Sequence, residues 1–283
     1  SKGGSFALFA NYIPEQFHIA TSIMASLEQE MRKYGYSLTV YMLNPDDIQS
    51  LRLPQNFRLD KTDAVLCIEL FDRKYSKMVC SLGKPVVFFD SYYAPENEPL
   101  NANIILMESR YSTFRMINSI LSQYSLKSVG FIGDIYHCIS FHERYEGFLN
   151  ALRNNNIAYN PSFCVIADDP CFHETSFLTD AIRNMPELPE LFFCANDLLA
   201  VKIITILRQM KINISQDLLI CGFDDTLCLN PINSTLTTVR TPSCEMGILA
   251  TKLLINQLTD PNIPPITAYI NGHIQMRSST IYK

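Results

Sequence analysis

The stretch Leu191–Asp225, LFFCANDLLAVKIITILRQMKINISQDLLICGFDD, decides the fold class. Leu191–Ala195 and Leu218–Phe223 are short apolar runs rich in aromatic and branched side chains. Between them Leu198, Leu199, Val201, Ile203, Ile204, Ile206, Leu207 and Met210 make a long, mostly apolar helical stretch. The reading is strand, helix, strand. Asn196-Asp197 stands where a helix N-cap belongs, and Lys211-Ile212-Asn213 supplies the stop. Two strands joined through a helix pair in parallel, and open parallel sheets bind ligands beyond the carboxyl ends of their strands. Both strands finish there in polar side chains, Asn196-Asp197 and Asp224-Asp225.

The same punctuation recurs outward from this unit. Phe6–Ala10 ends at Asn11, Leu38–Leu43 at Asn44, Ala64–Ile68 at Glu69 and Val86–Phe89 at Asp90. Phe17–Tyr34 reads as a helix closed by Gly35. After a helical stretch at Tyr111–Tyr124 the alternation restarts: Val129–Ile132 ends at Gly133-Asp134, and Phe163–Ala167 at Asp168-Asp169. Strand starts near 6, 38, 64 and 86 are echoed near 129, 163, 191 and 218, which predicts two similarly built α/β halves. Leu236–Val239 is read as crossing back, Cys244–Leu258 as an amphipathic helix, and Ile266–Ile270 with His273–Met276 as late strands after Pro264-Pro265.

Composition narrows the function classes. A chain of 283 residues with 47% hydrophobic residues fills a full core, and a formal charge of -5 does not favour a nucleic-acid backbone as this chain's own partner. No apolar run reaches the roughly 20 residues of a membrane helix. The nine cysteines (67, 80, 138, 164, 171, 194, 221, 228, 244) form no CxxC and several sit inside apolar runs, which predicts buried small hydrophobes and a reducing cytoplasm. GxSxG, P-loop, GxGxxG and HExxH motifs are all missing, and His18, His137, His142, His173 and His273 lack metal-ligand spacing. No catalytic residue, metal or cofactor is expected.

CANDLLA, CGFDD, LTTVRTPSCEMGILATKLL (Leu236–Leu254) and the terminal RSST (Arg277–Thr280) together resemble the effector-binding domain of the lac-repressor/galactose-repressor (LacI/GalR) family of bacterial transcription regulators. The resemblance runs over roughly the whole chain. It implies an α/β, two-lobed, periplasmic-binding-protein-like fold of type I, each lobe a parallel sheet flanked by helices, with three crossovers. The lobes are expected at 5–105 plus 239–264 and at 106–238 plus 265–283. The family's helix-turn-helix and hinge have no counterpart in these residues, so operator DNA is expected to be bound only through that segment. The resemblance also implies a homodimer and a small-molecule effector, a sugar first, held between the lobes.

Arg144, three residues before Gly147, matches the family's effector-contacting arginine, and its planar fork suits paired hydroxyls or a carboxylate. Alternatively it ties Asp134 or Asp224 together. Asn196 and Asp224 match the family's amide and aspartate contacts; the plainer roles are a helix cap and a strand-end turn. Asp90 matches a cleft-facing position, and Ser140 lies one helical turn before Arg144. Tyr12, Pro14 and Phe17, with Ile13, follow the first strand where the family places an apolar wall, and Phe172 is a candidate second wall; ordinary core packing competes for each aromatic. Asp197 and Asp225 are read as structural. Glu108-Ser109 departs from the family's Asp-Asn pair. Two other functions fit the architecture: a solute-binding protein for sugar transport, and an α/β enzyme on a sugar or nucleoside with Asp224, Asp225 and Asp134 as acid and base.

Overall fold

The computed structural model describes residues 3–11, 19–96, 100–225 and 235–282. In chain order the strands are β1 (Ser5–Ala10), β2 (Ser37–Met42), β3 (Ala64–Ile68), β4 (Val86–Phe89), β5 (Asn103–Met107), β6 (Val129–Ile132), β7 (Leu191–Cys194), β8 (Leu219–Cys221), β9 (Thr238–Arg240), β10 (Thr267–Ile270) and β11 (His273–Gln275). The helices are α1 (Ile19–Lys33), α2 (Pro45–Gln49), α3 (Arg73–Cys80), α4 (Arg110–Gln123), α5 (Ile139–Asn154), α6 (Thr175–Arg183), α7 (Asp197–Gln209) and α8 (Ser243–Thr259). Two compact units divide the chain, Ser1–Met107 with Pro242–Ile270 and Glu108–Thr241 with Asn271–Lys283.

The first unit is built on one parallel sheet, ordered β10-β5-β4-β3-β1-β2. AVLCI, VVFF and NIILM are buried along their whole length, as strands covered on both faces must be. The core is centred on Phe6, Leu8, Phe9, Leu66, Val87 and Phe88. β2 ends the sheet and is mostly exposed. Helix starts follow local chemistry: the Asn44 side chain accepts from Asp47 N at 2.8 Å with Pro45 first in the helix, and Asp72 accepts from Tyr75 N at 2.8 Å.

The second unit carries a parallel sheet ordered β6-β7-β8, extended by single parallel bridges Ile132 to Val165 and Cys221 to Thr237. α4 and α5 pack on each other, and Gly147 makes that crossing possible: a Cβ there would run into the Arg110 carbonyl. Phe131, Phe148, Phe192, Phe193, Ile203 and Leu207 are fully buried in its core. β9 and β11 form a separate antiparallel ribbon.

Four expectations are corrected. β10 pairs in parallel with β5, so residues 265–270 belong with the first unit, and the chain changes unit at 107/108, 241/242 and 270/271 in place of 105, 238 and 265. β5 itself was not anticipated. Phe163–Ala167 is no regular strand: Pro161–Phe163 is a 3-10 turn begun by the Asn160 side chain, and only Val165 makes a bridge. Cys244 is exposed, although Cys67, Cys138, Cys194 and Cys221 are buried as expected. Residues 12–18, which include Tyr12, Ile13, Pro14 and Phe17, lie outside the described residues, as does Cys228.

Candidate functional site

At the carboxyl ends of the second unit's strands, α5 brings Arg144 inward. Its side chain is 2% exposed. One guanidinium nitrogen donates to the Ala195 carbonyl at 2.6 Å and another to Asp224 Oδ1 at 3.1 Å. The guanidinium carbon stands 3.8 Å from the centre of the Phe223 ring and 5.3 Å from that of Phe141. A buried charge needs this company: an opposite charge, a carbonyl and two aromatic faces together replace the water it has lost. The alternative that Arg144 ties Asp224 is therefore realised. Asp134 is satisfied elsewhere, accepting from Tyr136 N and Asp169 N at 2.8 Å each.

Asn196 follows directly on Ala195 and is the cap of α7, its Oδ1 accepting from Leu199 N at 2.9 Å. It is half-buried, and its NH2 has no protein acceptor among the described residues, so one end fixes the helix while the other can donate. Asp197 is buried; its carboxylate accepts from the Thr238 hydroxyl at 2.8 Å and its N–H donates to Phe223 O at 2.9 Å. That contact explains the glycine in CGFDD, since a Cβ on Gly222 would collide with Asp197 Oδ1.

Asp224 and Asp225 both adopt the left-handed backbone region, with φ of 107° and 52°, which is costly without glycine. Their neighbours hold them there. Asp224 N donates to Val239 O at 2.8 Å, Thr241 N donates to Asp224 O at 3.2 Å, and the Thr241 hydroxyl reaches Asp224 Oδ1 at 3.3 Å. Asp225 takes one bond of 2.7 Å from Arg240 and another of 2.7 Å from Arg277. Burial raises the pKa of the Asp225 carboxyl, but hydrogen bonds and charge from Arg277 and Arg240 outweigh it and leave the group below its ordinary value. Arg240, Thr241 and Arg277 lie within the LTTVRTP and RSST motifs, yet no role for them was read from the sequence. The rule that a buried carboxylate needs a cation was the available signal.

Ser140 is buried on α5, one turn before Arg144 and on the same face. Phe172 is buried in the 3-10 turn Asp169–His173, its ring edge-on to Phe177 at 5.9 Å and its carbonyl accepting from Lys202 at 2.7 Å. In the first unit Asp90 ends β4 with φ of 62° and accepts its neighbour Ser91's N–H at 2.8 Å. Glu108, where the family pair departs, accepts from the backbone of Tyr111 and Ser112 at 2.6 and 2.7 Å and so begins α4. Among the described residues no group of histidine, cysteine and carboxylate side chains could hold a metal, and no helix is long and apolar enough to cross a membrane.

Known proteins resemble this chain over most of its length. The family model described as periplasmic binding protein-like domain matches residues 121–280, more than half of the chain. The ribose operon repressor of Haemophilus influenzae is 26% identical over 247 residues, which cover 85% of this chain and 70% of that repressor. The arabinose metabolism transcriptional repressor of Halalkalibacterium halodurans is 24% identical over 260 residues, 89% of this chain and 67% of that protein. Among solved structures, a transcriptional regulator CelR-cellobiose complex aligns with TM-score 0.80 at 18% identity, covering 97% of this chain and 84% of that one. A LacI family regulator from Enterococcus faecium with bound ribose aligns with TM-score 0.77 at 17% identity over 98% of each chain. The chain belongs to the periplasmic binding protein-like domain family, and the curated relatives it resembles are transcriptional repressors.

Proposed function

We propose that this chain is the effector-sensing domain of a LacI-type transcriptional repressor, working in the cytoplasm and controlling an upstream helix-turn-helix segment that contacts operator DNA. The observation that carries the reading is the meeting of Arg144, Asp224 and the Asn196 cap at one edge of the second unit's sheet. Arg144 and Asp224 neutralise each other, so the site offers fixed donors and acceptors with little net charge. That suits a neutral, hydroxyl-rich molecule, and the wrong epimer is rejected because it leaves a buried polar group unpaired. The named relatives that take ribose and cellobiose support the same class.

Ser140 and Phe172 complete the second unit's contribution in this proposal, and Asp90 with Tyr12, Pro14 and Phe17 the first unit's. A homodimer is proposed as well, supported by β2: an uncharged edge strand exposing Val40 and Met42 is a surface that folded proteins keep covered. The enzyme reading is disfavoured by Asp225 and Asp134. One is held ionised by two arginines and the other is engaged by two backbone amides, so neither is placed as a general acid.

The test is thermal unfolding of this chain against D-ribose, L-arabinose, cellobiose and a nucleoside set. A ligand at 100 times its Kd stabilises by about 2.7 kcal/mol. Arg144→Ala that stays folded and loses that stabilisation supports the assignment; full retained affinity rejects it.

A further inference from the structure

Thr241 is the last residue of the second unit before the chain passes to Pro242 in the first. Its hydroxyl donates to Asp224 Oδ1 at 3.3 Å, the same oxygen that accepts from Arg144 at 3.1 Å. One residue earlier Arg240 is fixed on Asp225, and Arg277 grips the other oxygen of that carboxylate. Arg240 also pairs with His273 across the antiparallel ribbon of β9 and β11, and His273 lies just beyond the other passage at Ile270–Asn271. Two of the three passages thus begin from paired strands of one ribbon, and the β9 end is held by two consecutive aspartates in left-handed conformations.

The two donors on Asp224 Oδ1 are not equal. Arg144 is charged and buried, and breaking its bond leaves the cation and the carboxylate each without its counter-charge. The Thr241 hydroxyl is neutral and at the long end of hydrogen-bond distance. An effector hydroxyl that donates to this carboxylate therefore displaces Thr241 before Arg144. Because Thr241 precedes a proline, its backbone is confined to extended conformations, and a change at its side chain is passed along the strand with little local slack.

We propose that Thr241 is a positioning residue that competes with the effector for Asp224 and so reports occupancy to the strands leaving the second unit. The inference rests on the reading of Asp224 as an effector contact. Reciprocity fixes its sign: if effector binding breaks the Thr241 bond, deleting that bond in advance tightens binding. Thr241→Val then binds about three- to tenfold more tightly, the equilibrium factor of one neutral hydrogen bond. Thr241→Ser, which keeps the hydroxyl, stays native.

The experiment has two arms. Without any sugar, amide hydrogen exchange is compared in a cycle of Asp224→Ala, which removes the acceptor, Thr241→Val and the double variant. Loss of either partner is expected to lower protection at Arg240 and Thr241 roughly three- to tenfold, with the double variant no worse than the singles. Independent, additive effects, or none, overturn the proposal whatever the ligand. In the second arm D-ribose is titrated while backbone amide NMR shifts are followed. Ribose shifts at Arg144, Asn196 and Asp224 with unchanged affinity in Thr241→Val overturn the proposal and leave the effector reading standing. If ribose leaves those three residues unmoved, the effector reading fails for ribose and the proposed competition at Asp224 is overturned with it.

Discussion

The guanidinium carbon of Arg144 lies 3.8 Å from the centre of the Phe223 ring, so the residue before Asp224 is itself part of the arginine's environment. A cation desolvated on an aromatic face gains about 2 kcal/mol from it. Phe223→Leu keeps the apolar volume and removes that face. We expect a loss of about 1–2 kcal/mol, read as a lower denaturation midpoint with an unchanged denaturant slope, and weaker binding of any ligand whose binding needs Arg144 held still.

The ion pair of Arg144 with Asp224 makes a second prediction. Arg144→Met strands a carbonyl at Ala195 and a carboxylate that is 15% exposed, whereas Asp224→Asn leaves the arginine without its counter-charge. Each single change is expected to cost about 3 kcal/mol. The double variant should cost less than the sum, with a coupling of about 1–3 kcal/mol in a double-mutant cycle. Strict additivity would show that the two groups contribute separately.

Acid stability should report Asp225. Its folded-state pKa lies below the ordinary value, so the unfolded chain takes up its proton first as pH falls. The stabilisation is present above the ordinary carboxylate pKa of about 4 and is lost as pH drops from there through the depressed folded value. Asp225→Asn removes that component. Below neutrality the variant's stability should fall less steeply than the native protein's, with the two curves converging in acid; parallel curves would remove Asp225 from the account.

Much of this arrangement was legible because strand ends are written locally. Apolar runs ending in Asn or Asp placed Asn196, Asp224 and Asp90 correctly at the carboxyl ends of β7, β8 and β4. Arg144 could be placed on a helix, but nothing in its neighbourhood of sequence shows that Phe223, 79 positions away, covers it. The clamp on Asp225 was illegible for the same reason: its partners are Arg240 at the end of β9 and Arg277 just before the 3-10 turn Ser278–Thr280, joined only by tertiary pairing. β5 was missed because a boundary had been drawn through it, and β10 was assigned to the wrong half because a parallel partner leaves no local mark.

Gly222 offers a test of packing rather than charge. Its missing Cβ is where Asp197 Oδ1 sits, and that oxygen in turn takes the Thr238 hydroxyl. Gly222→Ala forces the carboxylate and the β9 strand apart. Overpacking of this kind costs about 1–3 kcal/mol, and calorimetry of the variant should show it, whereas Gly83→Ala has nothing near its added Cβ and is strained only through its φ of 73°.

Glu108 shows how a departure from a family pattern can keep the physics. Both carboxylate oxygens face the first turn of α4: one accepts from Tyr111 N, the other from Ser112 N and, at 2.8 Å, from the Ser112 hydroxyl. A negative charge there satisfies free N–H groups and complements the positive end of the helix dipole. Glu108→Ala should therefore cost about 1 kcal/mol, and a chain of this size loses about 2–4 °C of melting temperature per kcal/mol. Glu108→Gln keeps one acceptor oxygen and loses the charge, so it should fall between the two. If alanine melts with the native protein, the cap contributes nothing and the departure is neutral.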